Sequence, residues 1–158
     1  MKITSSAFEN NGNIPSKYTC DGEGVNPPLS FSEIPATAQS LVLIVDDPDA
    51  PSGTFVHWTV WNIDPKTTEI TENSIPAGAT QGMTSYGKEG YGVPCPPISG
   101  RASGGQMPPT GVHRYFFKLY ALDTKLYLPA VRADSLEKAM IGHTLAQAEI
   151  IGLYSRTK

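Results

Sequence analysis

Leu41-Val42-Leu43-Ile44-Val45-Asp46-Asp47-Pro48-Asp49, followed by Phe55-Val56-His57-Trp58-Thr59-Val60-Trp61-Asn62-Ile63, are the stretches that decide the fold. The first opens as an unbroken aliphatic run with β-branched Val42, Ile44 and Val45, the pattern of a strand buried on both faces. Pro48 has no N–H to donate, so a ladder cannot continue through it. The second stretch is aromatic and β-branched and stops before Asp64-Pro65. Simple alternation places His57 on one face with Phe55, Thr59 and Trp61. A third strand is expected over Val112 to Leu122. It carries His113, Tyr115, Phe117 and Leu119 on one side and Arg114, Phe116, Lys118 and Tyr120 on the other.

Outward from these strands the chain is punctuated by turns: Asn10-Asn11-Gly12, Asp21-Gly22, Asn26-Pro27-Pro28, Pro51-Ser52-Gly53 and Pro76-Ala77-Gly78. Gly78 to Gly87 alternates as a short strand would. Near the C-terminus, Asp134 as N-cap, Glu137 completing a capping box and Gly142 as the stop predict a helix. Leu145 to Tyr154 reads both ways: Ile150, Gly152 and Tyr154 alternate, whereas Ala146-Gln147-Ala148-Glu149 favours helix. The expected fold is mainly β, two packed antiparallel sheets with one or two short helices, in a single domain spanning 1–158.

Composition narrows the function. The 158 residues carry 12 basic and 15 acidic side chains, a net charge of −3, without the basic stripe of a nucleic-acid binder. No apolar run approaches the roughly 20 residues of a membrane span, so no stable membrane insertion is expected. Met1-Lys2-Ile3-Thr4-Ser5-Ser6 lacks an apolar signal core, which predicts a cytoplasmic location. The cysteines are Cys20 and Cys95. Two reduced thiols are the plainer reading; a single bridge is the sharper one and requires Cα atoms within about 7 Å. Gly90 to Gly111 is too rich in glycine and proline for a regular element, and it reads either as a loop at the rim of a site or as a tether.

Asp47 ends the first strand and His57 lies on the second, so adjacent strands would bring them to one end of a sheet. Asp47-Pro48-Asp49-Ala50-Pro51, then His57, then Gly111-Val112-His113-Arg114-Tyr115, resemble the phosphatidylethanolamine-binding protein family in its bacterial, Raf kinase inhibitor-like branch. Tyr18-Thr19-Cys20-Asp21-Gly22, Pro27-Pro28-Leu29-Ser30 and Ala148-Glu149-Ile150-Ile151-Gly152 extend the likeness over nearly the whole chain.

The resemblance implies a Greek-key β-sandwich with a preformed anion pocket at one end. By position, Asp47, His57, His113 and Tyr115 would line it, Pro51 would shape the turn above it, and Gly92 or Gly105 would offer an amide. Asp49 and Arg114 match the motifs, and Arg114, on the opposite strand face, would support rather than touch the ligand. Imidazole and phenol donors suit phosphate, phosphoethanolamine or a phospholipid head group, and Asp47 could fix a histidine tautomer or face an ammonium. Affinity should then fall as pH rises past the histidine pKa, about 6.5 and raised by the anion. The chain departs from the branch in a glycine- and proline-rich insertion at about 98–109, whose single charge is Arg101 and which could serve as a lid or a subunit contact.

Three function classes follow. The first is non-enzymatic binding of a small anion, with no cofactor, no metal and no catalytic residue. The second is a protein-interaction or inhibitor module presenting the pocket rim to a kinase or protease; the resemblance also admits a homodimer. The third is an enzyme using the His–His–Asp set for acid–base or metal chemistry, against which the chain shows neither a GxSxG elbow nor an HExxH pair.

Overall fold

The computed structural model describes residues 1–98 and 111–156. Among these residues the strands are β1 (Lys2–Thr4), β2 (Gly12–Asn13), β3 (Leu29–Ser32), β4 (Ser40–Asp47), β5 (Phe55–Ile63), β6 (Glu69–Ile70), β7 (Thr80–Gln81), β8 (His113–Leu122) and β9 (Thr144–Tyr154), and the α-helix is α1 (Ala133–Met140). A 3₁₀ turn lies at Ser16–Tyr18. The sheets are β1-β3-β6 and β2-β9-β8-β4-β5-β7. Among the described strands the ladders are antiparallel except the short β2–β9 ladder, which is parallel, a departure from the expected arrangement.

Every residue of β4 is buried. Leu41, Leu43 and Val45 face the small sheet, where with Trp58, Phe117 and Leu119 they pack in one core with Leu29 and Phe31 of β3. Val42 and Ile44 face the other way, against Trp61, Leu122, Leu136 and Met140, where α1 covers the large sheet. The continuous aliphatic run of β4 is therefore the middle of three layers, small sheet, large sheet and helix, and needs no polar face.

Alternation fails in β5. Val45 pairs with Trp58 and Asp46 with Val56, so His57 is an extra residue in the ladder. A second irregularity lies between Leu41 and Leu43, where Asn62 has φ +56°. The expected grouping of His57 with Thr59 and Trp61 is corrected accordingly. Trp61 packs on the helix side, while the His57 ring sits against Tyr115 of the inward face of β8.

Other expectations change or are settled. The strand over Gly78 to Gly87 shrinks to β7, because the chain leaves β5 after Gly82 and Met83 N–H donates instead to Val131 O. Helix α1 starts one residue before Asp134, with Arg132 at the N-cap and no side-chain cap bond; the Asp134 carboxylate accepts from the Ser135 amide within the first turn. Gly142, at φ +81°, does turn the chain out of the helix. Leu145 to Tyr154 is strand, since ten registered pairs with β8 outweigh the helical preference of Ala146 to Glu149. The cysteines are joined: Cys20–Cys95 is a disulfide with Cα atoms 5.4 Å apart, which corrects the plainer reading of two reduced thiols. Gly105, Arg101 and nearly all of the 98–109 insertion lie outside the described residues.

Candidate functional site

The ends of β4, β5 and β8 meet at one edge of the sandwich, where Asp47 pairs with Phe55 across the β4–β5 ladder. Asp47, His57, His113 and Tyr115 are almost wholly buried, at 3%, 3%, 1% and 0% exposure. The structure thus brings four of the sequence-read residues into one neighbourhood, although Asp47 reaches His113 rather than His57. His113 Nδ1 and Asp47 Oδ2 are 2.6 Å apart. A carboxylate can only accept, so Nδ1 carries the proton and Nε2 is the free nitrogen. The other Asp47 oxygen accepts the Asp49 amide at 2.8 Å, closing the turn that Pro48 stiffens.

His57 is fixed in the same tautomer by a different partner. Its Nδ1 donates to Gly92 O at 2.8 Å, and the Gly92 amide donates back to His57 O at 2.6 Å. Glycine is required there: a Cβ at Gly92 would lie 2.8 Å from the Tyr86 ring. The Gly92 amide is thereby committed to the backbone of β5 and is not a free donor. Burial pushes the His57 pKa down, opposed by the hydrogen bond to Gly92 and by the Asp47 charge.

The His57 ring meets Tyr115 edge-on at 5.3 Å, and His113 stacks over Tyr115 at 6.4 Å. Burial pushes the Tyr115 phenol far above its ordinary range, so it stays a neutral donor. Among the described residues, four buried side-chain polar atoms lack a protein partner, and two of them are His113 Nε2 and Tyr115 Oη. Two unpaired polar atoms on stacked neighbouring rings are costly to a folded chain unless something else satisfies them.

Asp49 and Arg114 lie just outside this cluster. Asp49 Oδ2 accepts from the Arg114 amide and Nε, and Oδ1 from Nη2, each at 2.9 Å. The paired guanidinium holds the Asp49 carboxyl below its usual range. This fork pins the start of β8 to the turn after β4, which keeps His113 opposite Asp47. Pro51 is exposed in the turn closed by Ala50 O and the Gly53 amide. The third histidine, His143, pairs with Asp123 on the surface, away from the cluster.

Sequence reasoning put Phe55 on the His57 face without counting it in the site, and missed Tyr86; their rings pack on His57 at 4.9 and 5.9 Å. Phe55 precedes His57 by two residues and was a visible signal; Tyr86 had none, because only the fold brings it there. Among the described residues no group of three or more His, Cys, Asp and Glu is arranged to hold a metal ion. No helix among them is long and apolar enough to cross a membrane.

Residues 4–155 match the sequence profile of the family described as phosphatidylethanolamine-binding protein. The chain belongs to that family. A UPF0098 protein of Methanothermobacter thermautotrophicus is 47% identical over 162 residues, covering 99% of both chains. Another UPF0098 protein, from Chlamydia trachomatis, is 42% identical over 99% of both. The crystal structure of a phosphatidylethanolamine-binding protein homologue from Chlamydia trachomatis superposes with a TM-score of 0.86 at 41% identity, covering 98% of this chain and 97% of that one. YbcL of Escherichia coli, described as a member of the mammalian family, gives 0.85 at 27% identity over the same shares. Membership of this family supports a binding function in general terms.

Proposed function

We propose that this family member binds a small phosphorylated ligand, without catalysis, in the cluster formed by His57, His113 and Tyr115. The observation that carries the reading is the pair of buried, unpartnered atoms His113 Nε2 and Tyr115 Oη, set beside an imidazole whose Nδ1 is already engaged. A phosphate oxygen would satisfy the phenol as it stands. It would satisfy the imidazoles once they are protonated, and charge-assisted bonds to an anion are roughly twice as strong as neutral ones. Asp47 supports this from behind by holding His113 in place and balancing its charge.

The family name points to a phosphoethanolamine or phospholipid head group as ligand, and inorganic phosphate shares its anionic part. Titrating inorganic phosphate while following histidine ring resonances tests the reading. Both His57 and His113 should shift in the wild type, and the His57 response should be lost in His113→Ala. Shifts confined to His143 would overturn it.

A further inference from the structure

The segment from Gly90 to Pro97 runs as a strap behind His57 and is tied down at several points. Gly92 exchanges two hydrogen bonds with His57. The Tyr86 hydroxyl donates to Val93 O at 2.8 Å, and the Tyr91 hydroxyl donates to Tyr18 O at 2.8 Å. The Cys20 amide donates to Pro94 O at 3.1 Å, and next to it Cys95 is covalently joined to Cys20. The covalent tie and the Cys20–Pro94 bond fall within three residues of Gly92, the group that decides which His57 nitrogen faces the cluster.

We propose that the Cys20–Cys95 bridge is a redox control on the anion site, acting through this strap on the orientation and tautomer of His57. The proposal rests on the reading of the His57–His113–Tyr115 cluster as a binding site. Both cysteines are exposed, so a dithiol reductant can reach the bridge. The Arg156 guanidinium lies 3.5 Å from Cys95 Sγ, where it stabilises a thiolate and makes Cys95 the better leaving group. The step begins with a reductant thiolate attacking Cys20 Sγ. The Cys20–Cys95 bond breaks and its electron pair leaves on Cys95 sulfur. The second reductant thiol, after losing its proton, then displaces Cys20 from the mixed disulfide. Two electrons and two protons pass from the dithiol to the protein, and the reductant ends as its own disulfide.

Without the bridge, the strap from Val93 onward is held by hydrogen bonds alone, and Gly92 O is free to leave His57 Nδ1. The ring then loses its fixed tautomer, and the anion must reorder it on binding. Reduction should weaken inorganic phosphate binding by roughly five- to tenfold, within the usual range of coupling between sites. By linkage, saturating phosphate should make the bridge harder to reduce by the same factor, about 20 to 30 mV for a two-electron couple.

The test titrates inorganic phosphate into oxidised protein, into protein reduced with dithiothreitol, and into Cys20→Ser/Cys95→Ser. Amide hydrogen exchange at Gly92, and at Leu43 and Phe117 in the core, is followed in each. Weaker phosphate binding with faster Gly92 exchange and unchanged core exchange supports the proposal. Equal affinity in all three forms overturns the redox control and leaves the anion site standing. If no form binds phosphate, the site reading fails, and Gly92 exchange decides the rest: protection unchanged on reduction overturns the link between bridge and strap, and protection lost on reduction supports it.

Discussion

Tyr115 separates function from packing. Its hydroxyl is buried without a protein partner, so Tyr115→Phe deletes an unsatisfied group and little else. Thermal unfolding should show stability unchanged or raised by up to about 1 kcal/mol. Phosphate affinity should nevertheless fall, by roughly 5- to 30-fold for one lost bond to an anion. A purely structural tyrosine would show the opposite pattern. His57 carries the pH dependence. Its pKa is pushed down by burial, so at neutral pH the folded protein holds it uncharged. Between that lowered value and the ordinary one near about 6.5, the unfolded chain binds more protons than the folded one. Stability from this group is therefore complete above the ordinary pKa and is lost as pH falls through the window. Phosphate reverses the preference, because it needs an N–H at Nε2. Affinity should rise on acidification, and calorimetry near pH 7 in buffers of different ionisation enthalpy should show net proton uptake; none would mean that both pocket imidazoles stay neutral in the complex. Strand order alone put Asp47 beside His57, and it was the family resemblance carried by the two motifs that added His113, the residue Asp47 reaches, and Tyr115. The sequence left open whether Gly92 or Gly105 offers an amide to the pocket, since only the fold commits the Gly92 amide to His57 O.

The elements were legible where the hydrophobic pattern is long and illegible where a single residue breaks it. β4 and β8 follow their alternation along their whole length, whereas the extra residue at His57 and the left-handed Asn62 leave no trace in composition. β9 shows the same limit from the other side, since its middle is locally helical and only pairing with β8 settles it. The break after β7 has a physical cause that can be tested. A Cβ on Gly82 would lie 2.3 Å from Thr59 Oγ1, 2.6 Å from the Trp61 ring and 2.7 Å from Val131 O. Thr59 and Trp61 are themselves fully buried and Val131 O is backbone, so none can retreat cheaply. Gly82→Ala should destabilise by about 1 to 3 kcal/mol, the usual cost of overpacking. Urea unfolding measures it, and a loss below about 0.5 kcal/mol, the range of an innocuous surface change, would show that the β5–β7 contact is not close-packed.

At the scale of the molecule, one covalent bond joins the N-terminal turns to the strap that precedes β8, across a sequence separation of 75 residues. Cross-linking residues so far apart removes freedom chiefly from the unfolded chain. The chain-entropy relation gives about 4.5 kcal/mol for a loop of this length. A domain of this size commonly has about 8 to 15 kcal/mol of stability, so the reduced form should stay folded with a smaller margin. Native geometry accommodates the tie, since the Cα separation of 5.4 Å lies within the range that disulfides adopt. Urea unfolding of the oxidised protein and of Cys20→Ser/Cys95→Ser should therefore differ in two ways. The midpoint should fall by the equivalent of about 3 to 5 kcal/mol, and the slope should steepen, because the open chain exposes more surface when it unfolds. A lower midpoint with an unchanged slope would place the loss in the native state instead, meaning that the bridge acts by holding the strap rather than by confining the unfolded chain.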